Sequence, residues 1–170
     1  MTSRKTDRVT DKSNNVVKKR DRDIRTITTK KISVDELIEL TRDDGSGAIV
    51  LFLGTVRDNN NSSDGGSGRV TAMYYEAYIE MAGKQIEGII EETRQKWPIK
   101  NIEIVHRIGK LYVGDISVAV SVSSVHREEA FEACRYAIDR IKNSLPIWKK
   151  EFLIDGSQVW VEGQKVETVW

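Results

Sequence analysis

The chain carries a single cysteine, Cys134, so no disulfide can form within it. Its two histidines, His106 and His126, are far apart and no His/Cys cluster exists, so neither a bound metal nor another cofactor is expected. Nowhere does the sequence approach the roughly 18 apolar residues of a membrane span. The basic N-terminus is not followed by the apolar core of a secretory signal. A Walker loop and a dinucleotide fingerprint are both missing, because the glycines of "DGGSG" fall between two expected strands and not before a helix. An excess of one charge is lacking too: 27 Lys and Arg face 26 Asp and Glu, so global charge names no partner. These absences point to a cytoplasmic protein with no membrane association.

What is present is enough for one globular domain. With 170 residues, 39% hydrophobic and 31% charged, a sizeable core is affordable and two full domains are not. Charge is unevenly spread. Residues 1–25 hold nine basic residues and four Asp, near +5, which leaves the rest near −4. We read 1–22 as a disordered basic extension and 23–170 as the folded domain. The rival reading, an electrostatic arm for nucleic acid, lacks aromatic interleaving and a recognition motif, so nucleic acid is not expected as a partner.

From Ile24 the pattern becomes periodic. "IRTITTKK" alternates as a strand. Ser33 and Glu36 form a capping box ahead of a helix with Leu37, Ile38 and Leu40 on its apolar face. Ala48–Val56 is a continuous apolar run, which suits a buried central strand. Asp58–Gly68 is a Gly-, Ser- and Asn-rich loop, expected to be mobile at the mouth of a pocket. Val70–Ile79 reads as a strand and Met81–Trp97 as an amphipathic helix. "NIEIVHRIG" places Ile102, Ile104 and, by parity, His106 on one side. Asp115–Val125 alternates strongly, "HREEAFEACRYAIDRIKNS" is helical, and "IWKKEFLI" with "QVWVEG" forms a hairpin around Asp155-Gly156. The expected fold is α/β (α+β) with a mixed sheet.

Candidate chemistry gathers on cations. On a wheel of about 100° per residue, Arg127 and Lys142 lie within about 40° of Phe131 and Ile138, so a cation stands at each end of one helix near its apolar stripe. Snorkelling ends at the core edge explain this equally well. His126-Arg127 at the helix N-terminus suits an anion such as a phosphate. Arg57 follows a buried strand at a loop mouth. Lys149 and Lys150 are neighbours in a strand and cannot both face one pocket. Cys134 reads as a small buried hydrophobe and not as a nucleophile. His106-Arg107 reads as structural.

"GAIVLFLGTVRDNN", "YEAYIEMA", "KWPIKNIEIVHRIGKLYVGDISVAVSVSSVHREEAFEACRYAIDRIKNSLPIWKKE" and "WVEG", over roughly residues 27–163, resemble the large subunit of molybdopterin synthase. The ordered combination of "HRIGxLxxGD", "VHR…AFEA" and "PIWKKE" carries the resemblance; no single piece does. It implies a hammerhead-like mixed-sheet domain with an added antiparallel β subdomain. It implies a homodimer within a heterotetramer, in which each protomer binds a small ubiquitin-like sulfur-carrier subunit. The implied reaction moves sulfur from the carrier's C-terminal thiocarboxylate to cyclic pyranopterin monophosphate, forming the dithiolene of molybdopterin. Lys142 then matches the family's essential lysine and Lys149 its second pocket lysine, both catalytic. Arg57, His126 and Arg127 match its substrate-binding anion pocket. The chain departs from the family pattern after "WVE": an arginine is common there, whereas this sequence has Gln164 and Lys165. Lys142 suits either oxyanion stabilisation, orientation of sulfur and phosphate, or a covalent link. The alternative from another class is a non-catalytic dimeric module that docks a ubiquitin-like partner or an anionic ligand.

Overall fold

The computed structural model describes residues 26–59 and 68–161. Along the chain run β1 (Ile27–Thr28), α1 (Val34–Thr41), β2 (Ala48–Thr55), β3 (Val70–Ala77), α2 (Ile79–Lys96), β4 (Ile99–Arg107), β5 (Gly109–Tyr112), β6 (Ile116–Ser124), α3 (Arg127–Ser144), β7 (Ile147–Leu153) and β8 (Gln158–Val161). The expected extension at 1–22 and the Gln164-Lys165 departure lie outside the described residues.

The strands form two four-stranded sheets, ordered β1-β4-β6-β2 and β5-β3-β7-β8, so β2, expected to be central and buried, is a half-buried edge strand. In the first, β1 runs parallel to β4 and the other pairs are antiparallel. The second is antiparallel throughout. This is the mixed α+β architecture that the sequence predicts, with its added antiparallel unit.

Local chemistry sets the element ends. The Ser33 side chain accepts a hydrogen bond from the Glu36 amide at 3.3 Å, as the predicted capping box requires. Of the strand expected over "IRTITTKK", the described residues show Ile27–Thr28, and Ile24 and Arg25 lie outside them. The Lys30 amide bonds the Thr28 hydroxyl at 3.1 Å just past the C-terminal end of β1. Gly109, at φ 90°, opens β5 one residue after β4 ends and sends the chain from one sheet into the other. The terminal hairpin turns at Asp155-Gly156 as predicted, with Gly156 at φ 86° and the Ser157 amide bonded to the Asp155 carboxylate at 2.9 Å.

The main core lies between the first sheet and α2 with α3. Ile86, Ile89, Ile104, Val120 and Val122 are almost wholly buried there. Truncating one such isoleucine to alanine costs about 2–5 kcal/mol.

β6 departs from simple alternation, because every residue from Ser117 to Ser124 is buried. It sits between β4 and β2, and its valines pack on the helical core. The opposite parity, Ser117, Ala119, Ser121 and Ser123, turns to the face on which α1 packs. Alternation survives as large against small, not as buried against exposed.

α3 also corrects an expectation. Phe131 is 61% exposed and does not belong to the core stripe. The buried line is Ala130, Ala133, Cys134, Ala137, Ile138 and Ile141, centred about 90° round the helix from Phe131. Small alanines let α3 approach the sheet closely, and that approach moves the stripe away from the phenylalanine. Among the described residues, no helix is long and apolar enough to cross a membrane.

Candidate functional site

The five predicted site residues fall into two groups. β2 and β6 are antiparallel, and α3 returns from the C-terminal end of β6 toward its start. The end of β2, the start of β6 and the end of α3 therefore share one side of the first sheet.

Arg57 is exposed there, just past β2. Its neighbour Val56 is pinned to the turn before β6: the Val56 amide donates to the Asp115 carbonyl at 3.0 Å, and the Gly114 amide donates to the Val56 carbonyl at 2.9 Å. Lys142 stands exposed in the last turn of α3, where a cation is favoured by the helix dipole. Lys149 is half-buried in β7, directly opposite Tyr75 of β3.

Lys149 and Lys150 face opposite sides of the second sheet, as strand alternation requires. Lys150 lies 4.9 Å from the centre of the Trp160 ring and donates to the Gln158 side-chain oxygen at 3.5 Å. Lys149 shares its face with Tyr75 and the buried Glu151. Tyr75 meets His106 edge to face across the two sheets, with ring centroids 5.5 Å apart.

His106 is buried, and its Nδ1 lies 3.0 Å from the Arg107 carbonyl oxygen, so Nδ1 carries the proton of the neutral ring. Burial pulls its pKa down to about 4, against the weaker opposing effect of that hydrogen bond. Arg107 points the other way and pairs with Asp115 at 3.4 Å. Tyr75 and Glu151 escaped sequence reasoning. The signal for Glu151 was available, since it shares strand parity with Lys149.

His126 and Arg127 lie at the other side. Both are exposed at the start of α3, where they line a cavity of about 420 Å³ with Gly47, Val125 and Glu128. Gly47 is required for this close approach, because a Cβ there would stand 2.6 Å from the Val125 carbonyl oxygen. Glu128 makes the lining mixed in charge and not purely cationic. Arg127 and Lys142 are fifteen residues apart on one helix, a rise of roughly 22 Å. One chain does not bring its two groups together. A separate cavity of about 240 Å³ between α1 and β4 contains none of the five.

Cys134 is buried with its sulfur 3.8 Å from the Val120 carbonyl oxygen, and burial pushes the thiol up to about 11. It is protonated and inaccessible at neutral pH. Among the described residues, no group of three or more His, Cys, Asp or Glu is placed to hold a metal. The loop expected at the pocket mouth is described only at its ends, where the Val70 amide bonds the Asp58 carbonyl at 2.8 Å; residues 60–67 lie outside the described residues.

Comparison with known proteins decides the relationship. The MoaE protein family matches residues 27–144. A Thermoplasma volcanium protein named molybdopterin synthase catalytic subunit is 51% identical over 134 residues, 79% of this chain and 94% of the relative. This chain belongs to the MoaE family. The solved structure of molybdopterin synthase from Staphylococcus aureus superposes on this MoaE-family chain with a TM-score of 0.74 at 40% identity, covering 81% of this chain and 96% of the other. A complex of subunits 1 and 2 of the Helicobacter pylori molybdopterin-converting factor shares the fold, with a TM-score of 0.65 at 17% identity over 82% of this chain and 91% of that one. The span matched to MoaE includes Arg57, His126, Arg127 and Lys142, while Lys149 lies past it in β7.

Proposed function

We propose that this chain is the catalytic subunit of a molybdopterin synthase, and that it transfers sulfur from the C-terminal thiocarboxylate of a small ubiquitin-like carrier to cyclic pyranopterin monophosphate. The observation that carries the chemistry is the pairing of a cationic end, Arg57, Lys142 and Lys149, with a lone cysteine that burial keeps protonated. Such a site has charge for a phosphate and for a developing oxyanion, and no thiol of its own. Sulfur must arrive on another molecule, and a carrier thiocarboxylate supplies it. Lys142 stabilises the oxyanion as the carrier's acyl group is attacked; Lys149 and Arg57 orient the sulfur and the phosphate.

The separation of His126 and Arg127 from Lys142 supports a pocket built from two copies. Arg57, Lys142 and Lys149 come from one protomer, and His126 with Arg127 from its partner. A two-fold axis repeats the arrangement and gives two equivalent pockets. Exposed apolar side chains of Val125 and Phe131 flank His126 and Arg127, as a protein interface requires. Each protomer binds one carrier, which makes a heterotetramer, and the proposed compartment is the cytoplasm.

The test is reconstitution. Purified chain, thiocarboxylated carrier and cyclic pyranopterin monophosphate are mixed and the product is assayed. Molybdopterin is expected. Carrier binding without product would support a non-catalytic docking module instead.

A further inference from the structure

The motif "HRIGxLxxGD" runs from His106 to Asp115 and contains none of the predicted site residues, yet its arginine and its aspartate meet in space. Arg107 ends β4 and Asp115 immediately precedes β6. Arg107 Nη1 lies 3.4 Å from Asp115 Oδ2, and both side chains are mostly buried. The same Asp115 oxygen accepts the Tyr112 amide at 3.1 Å, and the Asp115 amide donates to the Tyr112 carbonyl at 2.9 Å, which closes the turn from β5 to β6. Gly114 sits in that turn at φ 89°, a conformation that favours glycine. The closed turn grips Val56 from both sides: the Val56 amide donates to the Asp115 carbonyl, and the Gly114 amide donates to the Val56 carbonyl. Val56 is the residue before Arg57. The ladder between β2 and β6 shifts register between Gly54 and Thr55 and ends at Thr55, so strand pairing does not reach Arg57. Among the described residues Arg57 has no ion-pair partner, and the backbone behind it sets where its side chain starts.

We infer that Arg107 and Asp115 are positioning residues for sulfur transfer, whose ion pair holds the turn that clamps Val56 and so aims Arg57 at the substrate. The inference rests on the proposed function. Neither residue touches substrate or carrier; both act through Arg57. The pair is poorly suited to a purely stabilising role. Arg107 Nε is buried with no hydrogen-bond partner, and a mostly buried ion pair held by few bonds is often no better than apolar side chains of similar size. What the pair adds is direction, because Arg107 ties the turn to β4, an interior strand of the first sheet. A displacement of about 1 Å in a group that holds substrate costs up to about 10²-fold in rate.

Asp115→Asn removes the charge and keeps a side-chain oxygen for the Tyr112 amide. Arg107→Gln removes the other half of the pair. Both are assayed in the reconstituted complex with carrier, alone and combined with Arg57→Ala, and KM for the pterin precursor is measured separately from kcat. Each single variant is expected to raise that KM and to lower kcat/KM by roughly five- to fiftyfold, within what a misplacement of about 1 Å costs. In the Arg57→Ala background the same substitutions should change kcat/KM by less than about twofold, because the group they position is already gone. A wild-type KM in either single variant would overturn the inference. So would losses that multiply with that of Arg57→Ala, or a lowered kcat at unchanged KM, which a merely structural role produces by reducing the active fraction. Should one variant fail to fold, the other decides by the same criteria; if neither folds, the pair is structural and the inference is overturned. Arg57→Ala alone separates the two levels. Full activity there contradicts the proposed site; impaired Arg57→Ala with unaffected Asp115→Asn contradicts only the positioning role.

Discussion

Arg127 and Lys142 stand at opposite ends of α3, with the buried side chains of Ala130, Cys134, Ile138 and Ile141 spaced along the helix between them. Nothing as small as a pterin phosphate reaches both from one chain. If both act on the substrate, two copies of the chain must meet.

Lys142→Ala tests the group at the proposed reacting centre. The side chain is exposed and holds no part of the core, so folding, dimer formation and carrier binding should persist. Losing one preorganised electrostatic donor typically costs about 10²–10³ in rate. Single-turnover assays should show that loss, and near-normal product formation would remove Lys142 from the mechanism.

Lys149 and Lys150 give a matched pair for the second sheet. Lys150 is engaged with Trp160 and Gln158 on the far face. Lys150→Ala should leave turnover within about twofold of wild type, since an exposed cation–π contact contributes only about 0.5–1 kcal/mol. Lys149→Ala should impair turnover clearly. The reverse ranking would place the pocket on the opposite face of β7.

His106 predicts a pH dependence of stability. Its folded pKa, pulled down to about 4, lies below the ordinary value of about 6.5 in an unfolded chain. The unfolded state therefore binds the proton first as pH falls. Stability from the neutral ring is complete above about pH 6.5, declines between about 6.5 and 4, and levels off below. The swing is about 3 kcal/mol. Denaturant unfolding of wild type and His106→Phe across that range should show a slope in wild type that the variant lacks. Parallel curves would mean that His106 titrates normally in the fold.

Much of this was legible in the sequence because it depends on local chemistry. The Ser33 cap, the Asp155-Gly156 turn and the opposite facing of Lys149 and Lys150 follow from neighbours one to three residues apart. Four features depend on what the chain meets in space. β1 pairs with β4, some eighty residues further along the chain. Phe131 is exposed because three alanines, and not the aromatic ring, face the sheet. β6 is buried on both faces because helices cover each of them. Tyr75 and His106, far apart in sequence, become neighbours only when Gly109 redirects the chain between sheets. For the site, spacing revealed cations but not their division into two groups. That division comes from the antiparallel return of α3 beneath β6.

The shared pocket is tested most directly by complementation. Lys142→Ala and Arg127→Ala proteins, each inactive alone, are mixed at equal concentration under conditions that let subunits exchange, and molybdopterin formation is assayed with carrier. With random pairing, half of the dimers are mixed and each holds one intact pocket, so activity should recover to roughly a quarter of wild type. No recovery, with exchange demonstrated, would mean that the pocket is built within one chain.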